Sequence, residues 1–283
     1  MKNIRIIPRL DIKGPNLVKG IHLEGLRVLG KPEELAEYYY QTGADELMFM
    51  DVVASLYGRN SLQDIITRTA KKIFIPLTVG GGLRTMEDIK AVLRAGADKI
   101  SLNTAAINNP QIIKQASLKF GSSTIVVAIE AIKQNDGKYL VYTDNAREYT
   151  GIEVLSWAKK VEELGAGEIV LTSVDREGTG EGFDLELIKM VVSKVSIPVI
   201  AHGGAGNITH IKEAIETKAD AVALASMLHY DFIKKVISEG HTDNEGNTEF
   251  LKSGRSFGKL KTTTIIEIKK HLKEQNIPTR QLC

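Results

Sequence analysis

Three pairs of short segments recur in this chain at one constant spacing. Gly43-Ala44-Asp45-Glu46-Leu47 returns as Gly165-Ala166-Gly167-Glu168-Ile169, Ile75-Pro76 as Ile197-Pro198, and Ala97-Asp98 as Ala219-Asp220, each 122 residues later. A single match of this kind arises by chance, whereas a fixed offset over three predicted strands points to two equivalent halves. Short apolar or β-branched runs are spaced through both: Ile4–Leu10, Leu47–Val53, Ile75–Val79, Lys99–Leu102, Thr124–Ile129, Ile169–Val174, Ile197–Ala201 and Ala221–Leu224. Amphipathic stretches separate them, at Pro32–Thr42, Ser61–Lys71, Thr85–Ala95, Asn109–Phe120, Ile152–Leu164, Asp184–Lys194 and Ile208–Thr217. Ser61 and Thr85 are plausible helix caps. Eight βα units in 283 residues predict one α/β domain. The expected fold is a single (β/α)8 TIM barrel over 1–283, with half-barrels of about 1–122 and 123–236; an open doubly wound sheet is the alternative. The polar, glycine-rich Glu239–Gly258 reads as an inserted surface loop, and Thr262–Gln275 as a last helix.

Composition narrows the function classes. Lys plus Arg (37) nearly balance Asp plus Glu (35), without a long basic cluster, so nucleic acid is not an expected ligand. No apolar run approaches the roughly 18 residues of a membrane span, and Arg5, Arg9 and Asp11 interrupt any signal-like start, so a soluble cytoplasmic protein is expected. The sole cysteine is Cys283, which leaves no internal disulfide and no supported thiol nucleophile. The six histidines (His22, His202, His210, His229, His241, His271) show no paired ligand spacing, so neither a metal nor another cofactor is expected.

Two glycine clusters, Gly80-Gly81-Gly82 and Gly203-Gly204-Ala205-Gly206, follow Ile-Pro-led strands and fall at strand C-termini, where barrel sites are built. One βα unit later come Asn103-Thr104 and Ala225-Ser226. Glycine allows backbone amides to approach an anion, so the repeat predicts two phosphate cradles on opposite sides of one mouth; the plainer reading is two tight turns. Between them, Asp11 and Glu130 end the first and fifth strands. A carboxylate closing an apolar strand is costly unless used or paired, and two of them can divide acid and base work. The competing reading gives one of them only a loop to support, or Lys13 or Lys19 as a partner. At the other ends of strands one, two, four and six, Arg5, Glu46, Lys99 and Glu168 alternate in sign, as a salt-bridged barrel floor would.

The motifs Ile6-Ile7-Pro8 with Leu10-Asp11, Val18-Lys19-Gly20, Thr78-Val79-Gly80-Gly81-Gly82, Asn103-Thr104-Ala105-Ala106, Asp175-Arg176-Glu177-Gly178-Thr179 and Gly203-Gly204-Ala205-Gly206 resemble, in order, the cyclase subunit of imidazole glycerol phosphate synthase. The resemblance spans roughly Ile4 to Tyr230. It implies that ammonia from a partner glutaminase splits a bis-phosphorylated ribulosyl-formimino-aminoimidazole carboxamide nucleotide into imidazole glycerol phosphate and the aminoimidazole carboxamide nucleotide. By the resemblance, Asp11 is a catalytic acid/base and Glu130 stands where a second, normally aspartate, catalyst is found. Gly82, Asn103 and Thr104 match one phosphate site, and Gly178, Gly204, Ala225 and Ser226 the other. Lys19 matches a lysine of a mobile mouth loop, and Arg5, Glu46, Lys99 and Glu168 match a gate admitting ammonia from a glutaminase docked below, in a heterodimer. Arg9 replaces a usual small residue, Glu177 an aspartate and His202 a serine, and Thr143–Arg147 lacks an expected serine. These departures keep open a paralogous ammonia-delivery subunit serving a sugar amidotransferase of surface-polysaccharide modification. The related phosphoribosyl-formimino isomerase shares the two cradles but has no need of the gate.

Overall fold

The computed structural model describes residues 2–54, 62–238 and 259–280. Its strands are β1 (Arg5–Lys13), β2 (Asn16–Ile21), β3 (Glu24–Gly30), β4 (Leu47–Asp51), β5 (Leu77–Gly80), β6 (Lys99–Leu102), β7 (Ile125–Lys133), β8 (Tyr139–Thr143), β9 (Glu148–Glu153), β10 (Glu168–Ser173), β11 (Val199–His202) and β12 (Ala221–Leu224). Parallel pairing runs β1, β4, β5, β6, β7, β10, β11, β12 and returns from β12 to β1, closing a TIM barrel. The eight strands expected from the apolar runs are these eight, with ends shifted by a few residues.

The other four strands have no counterpart among those runs. β2 and β3 form an antiparallel hairpin on the end of β1, and β8 and β9 form another on the end of β7. Both sit on the first strand of their half, so the twofold plan extends to the excursions above the mouth. The helices Met86–Ala95 and Leu185–Val192 begin after real caps: the Thr85 hydroxyl accepts from the Asp88 amide, and the Asp184 carboxylate from that of Leu187. Ser61 and the whole of Glu239–Gly258 lie outside the described residues. Among the described residues no helix is long and apolar enough to cross a membrane.

Strand pleating sorts side chains between two cores. On β1, Ile6, Leu10 and Ile12 face the helices and join the large outer core, while Ile7 faces the lumen. Ile7 packs there with Met48, Val126, Ala128, Val170, Ile200, Ala221 and Ala223 in an apolar layer. The same alternation directs Arg5 to the floor below this layer and Arg9 and Asp11 to the space above it.

The C-terminal segment is fastened to the floor. Ile4 bridges to Thr279, and buried Asp45 accepts from the Ile6 amide (2.8 Å), Lys269 Nζ (2.6 Å) and Arg280 Nε (3.2 Å). Lys269 lies on the helix Ile265–Glu274, so Asp45 joins the first barrel strand, the last helix and the chain end. Burial lowers the Lys269 pKa, with Asp45 opposing the shift. Removing one partner of a buried pair strands the other charge, which costs about 3 kcal/mol or more, whereas an exposed partner contributes under about 1 kcal/mol. We therefore expect Asp45→Asn to lower the unfolding free energy by about 3 kcal/mol and Arg280→Ala, whose side chain is half exposed, by less than about 1 kcal/mol, in urea titrations. Equal effects would contradict this ranking.

Candidate active site

Asp11 and Glu130 do not end their strands as expected, because β1 continues to Lys13 and β7 to Lys133 to pair with the hairpins. They do lie on opposite walls, since β1 and β7 are four strands apart in either direction around the barrel. Both carboxylates are buried. Asp11 is not paired with Lys13 or Lys19: its Oδ1 accepts from Arg9 Nε at 2.9 Å. Glu130 Oε2 accepts from the Ala146 amide at 2.8 Å, and its carboxyl also hydrogen-bonds the Asn103 side chain. Glu130 thus does support a loop, and it also faces a cavity.

That cavity, of about 270 Å³, is lined by Arg9, Glu130, Gly82, Asn103 and Thr104, so the first proposed phosphate set surrounds one space with one carboxylate. Asp51, Arg84, Asp144 and Asn145 complete much of its wall; the strand and glycine patterns did not single out Asp51 or Arg84. Gly81 is required by geometry here. Its φ is +97°, and a Cβ would lie 2.2 Å from the Asp51 carbonyl oxygen. Ser101 Oγ on β6 and Asn103 Oδ1 just after it are buried without a hydrogen-bond partner among the described residues. The facing loop is strained: Asp144, Asn145 and Ala146 are all left-handed, with φ of 52°, 62° and 65°. This run aims the Ala146 amide at Glu130.

The second set is arranged differently. Gly178, Gly204, Ala225 and Ser226 follow β10, β11 and β12, and none of them lines the cavity just described. Gly178, with φ +74°, lies beneath the β2–β3 turn, where a Cβ would be 2.8 Å from the Gly20 oxygen and from Ile21 Cα. That turn is fastened at several points. Lys19 is buried in an ion pair with Glu177, whose other oxygen accepts from the Leu23 amide at 3.0 Å. His22 Nδ1 bonds the Val174 carbonyl (2.8 Å), and Asn145 Nδ2 donates to the Leu23 carbonyl (2.7 Å).

Arg5, Glu46, Lys99 and Glu168 meet at the opposite end of the lumen. Arg5 pairs with Glu168 and, at 2.8 Å, with Glu46; Lys99 reaches Glu46 at 2.9 Å and Glu168 at 3.2 Å. Each cation bridges both anions, closing a ring. Burial would raise the Glu46 pKa, but Arg5 and then Lys99 hold it below the ordinary value.

The chain is similar along most of its length to known proteins. The family described as Histidine biosynthesis protein matches residues 5–234. A protein of Legionella pneumophila named imidazole glycerol phosphate synthase subunit HisF is 58% identical over 208 residues, 74% of this chain and 98% of the relative. One of the same name from Endomicrobium trichonymphae is 46% identical over 282 residues, covering 100% of this chain and 97% of its own length. Another, from Methanocaldococcus jannaschii, is 50% identical over 246 residues, 80% of this chain and 90% of the relative.

Burial pushes the Glu130 carboxyl from 4.5 up to about 7, against the opposing pull of Arg9, the Ala146 amide and Asn103. The folded chain therefore holds this proton more tightly than the unfolded chain. Its contribution to stability is present below about pH 4.5 and is lost as pH rises through about 7. Glu130→Gln, neutral throughout, removes the loss, so its stability relative to wild type should rise by an amount on the order of 3 kcal/mol between those limits. Denaturant titrations at pH 4.5, 6 and 8 would read this; a flat difference would mean that Glu130 ionises as an ordinary glutamate.

Proposed function

The chain belongs to the Histidine biosynthesis protein family, alongside subunits named imidazole glycerol phosphate synthase HisF, and from that premise we propose that it is the ammonia-dependent cyclase subunit of this synthase. Its substrate is the bis-phosphorylated ribulosyl-formimino-aminoimidazole carboxamide nucleotide, and its site of action is the cytoplasm. The observation that supports the reading is the pair of buried carboxylates on opposite strands of the barrel, Glu130 lining the cavity at the mouth and Asp11 bonded to Arg9, which lines it too. The phosphates bind at Gly82/Asn103/Thr104 and at Gly178/Gly204/Ala225/Ser226, which sets the reactive middle of the nucleotide between the carboxylates. Ammonia entering an aromatic ring must shed protons, and the departing aminoimidazole nitrogen must gain one. Glu130, titrating near 7, can hold a proton to give, and Asp11 offers a carboxylate to receive one.

The floor ring is the ammonia gate, and the glutaminase docks over it as the other half of a heterodimer. The lumen above the ring is apolar, which suits neutral ammonia and penalises ammonium. For the nucleotide to reach the second phosphate set, the β2–β3 turn with Lys19 must lift from Glu177.

One feature favours a second reading. Asp11 is already paired with Arg9, and a paired carboxylate is less free to exchange protons. A subunit that only delivers ammonia to a sugar amidotransferase would tolerate this pairing, because its lumen and floor ring would be the working parts.

With saturating ammonia and a fixed unprotonated fraction, the purified chain should convert the nucleotide, and Asp11→Asn should abolish turnover. Glu130→Asp should leave activity similar or higher. Lys99→Ala should spare the ammonia-dependent rate and reduce only the glutamine-dependent rate with the partner present. A wild-type chain that binds the nucleotide without turning it over, before and after Glu130→Asp, would reject the cyclase and leave ammonia delivery.

A further inference from the structure

Arg9 spends a buried cation in the lumen, and its bonds reach three strands. Nε donates to Asp11 Oδ1 on β1 (2.9 Å), while Nη1 lies 3.2 Å from His202 Nδ1 on β11 and 3.5 Å from Thr172 Oγ1 on β10. Arginine has only N–H donors, so His202 Nδ1 must accept and the ring proton belongs on Nε2. Burial first, then the charges of Arg9 and Lys19, push the His202 pKa well below the ordinary value, so the ring stays neutral and able to accept. Thr172 Oγ1 is itself 3.0 Å from the same nitrogen, which ties the two far anchors together.

The backbone at Arg9 is fixed from behind as well. His229 Nε2 donates to the Arg9 carbonyl (3.0 Å), and its Nδ1 accepts from the Tyr39 hydroxyl (2.7 Å). Burial lowers His229 to about 4, which keeps that relay neutral too. Filling space does not explain such a residue: an apolar side chain of similar volume would avoid the desolvation cost and often gives equal or greater stability. What an apolar residue could not supply is a rigid planar group with one N–H on Asp11 and another held by His202 and Thr172.

We propose that Arg9 is a positioning residue, a strut from the β10–β11 wall that holds the Asp11 carboxylate in place for the ammonia-dependent reaction. The proposal rests on the cyclase reading. Arg9→Met should lower kcat about a hundredfold while KM stays within about threefold, because a carboxylate displaced by about 1 Å loses rate rather than ground-state binding. Arg9→Lys should recover about tenfold of that loss, since an ammonium can pair with Asp11 but cannot also brace His202. A kcat within twofold of wild type, a loss confined to KM, or a lysine variant no better than methionine would overturn it. If Arg9→Met does not fold, Thr172→Val combined with His202→Leu cuts the far anchors and should give the same loss of kcat with KM kept. If wild type shows no turnover, the cyclase reading has failed, and crystal structures of wild type and the same variant then decide the strut separately. Displacement of the Asp11 carboxylate by about 1 Å supports it, and an unmoved carboxylate overturns it.

Discussion

Closure of the parallel sheet governs everything else in this chain. When β12 pairs with β1, every second side chain of eight strands is committed to a common lumen with no route to bulk solvent except at its ends. In this chain that lumen is stratified. The floor is a ring of alternating charge, the middle is apolar, and the top carries Arg9, Asp11, Glu130, Thr172 and His202. A one-residue slip in any strand would turn its lumen residues toward the helices, so register and site geometry are one constraint.

The upper layer shows how buried charge is accommodated. Asp11 is matched by Arg9 and Glu177 by Lys19, in pairs almost wholly removed from solvent. Among the described residues no cation forms an ion pair with Glu130, which accepts from an amide and bonds an asparagine instead, and burial pushes its carboxyl up to about 7. The two carboxylates thus sit in unequal surroundings, one beside a guanidinium and the other beside neutral donors. Glu177 reaches both Lys19 and the β2–β3 turn, while Arg9 reaches His202.

The barrel was legible because it follows from local pattern. Apolar runs mark the barrel strands, and the constant repeat spacing aligns both halves, so Asp11 and Glu130 could be assigned to the first and fifth barrel strands by counting, although both strands continue past them into the hairpins. The hairpins were not legible for a physical reason. β3 and β9 are largely exposed or half-buried, lack a continuous apolar run, and are held by pairing to β2 and β8 rather than by burial. The Lys19–Glu177 pair spans 158 residues and Arg9–His202 spans 193, distances at which no sequence pattern reports a contact. The left-handed run at Asp144–Ala146 carries no glycine to announce it.

The proposed function requires phosphate to bind at both glycine-containing sets, and anion binding tests this without reliance on turnover. A crystal structure of the full chain in inorganic phosphate should show one anion at Gly82, Asn103 and Thr104 and a second at Gly204, Ala225 and Ser226, the latter with the β2–β3 turn lifted from Gly178. Anions found only at the Arg5–Lys99 floor, or at a single cradle under saturating phosphate, would contradict the placement of the substrate between Asp11 and Glu130.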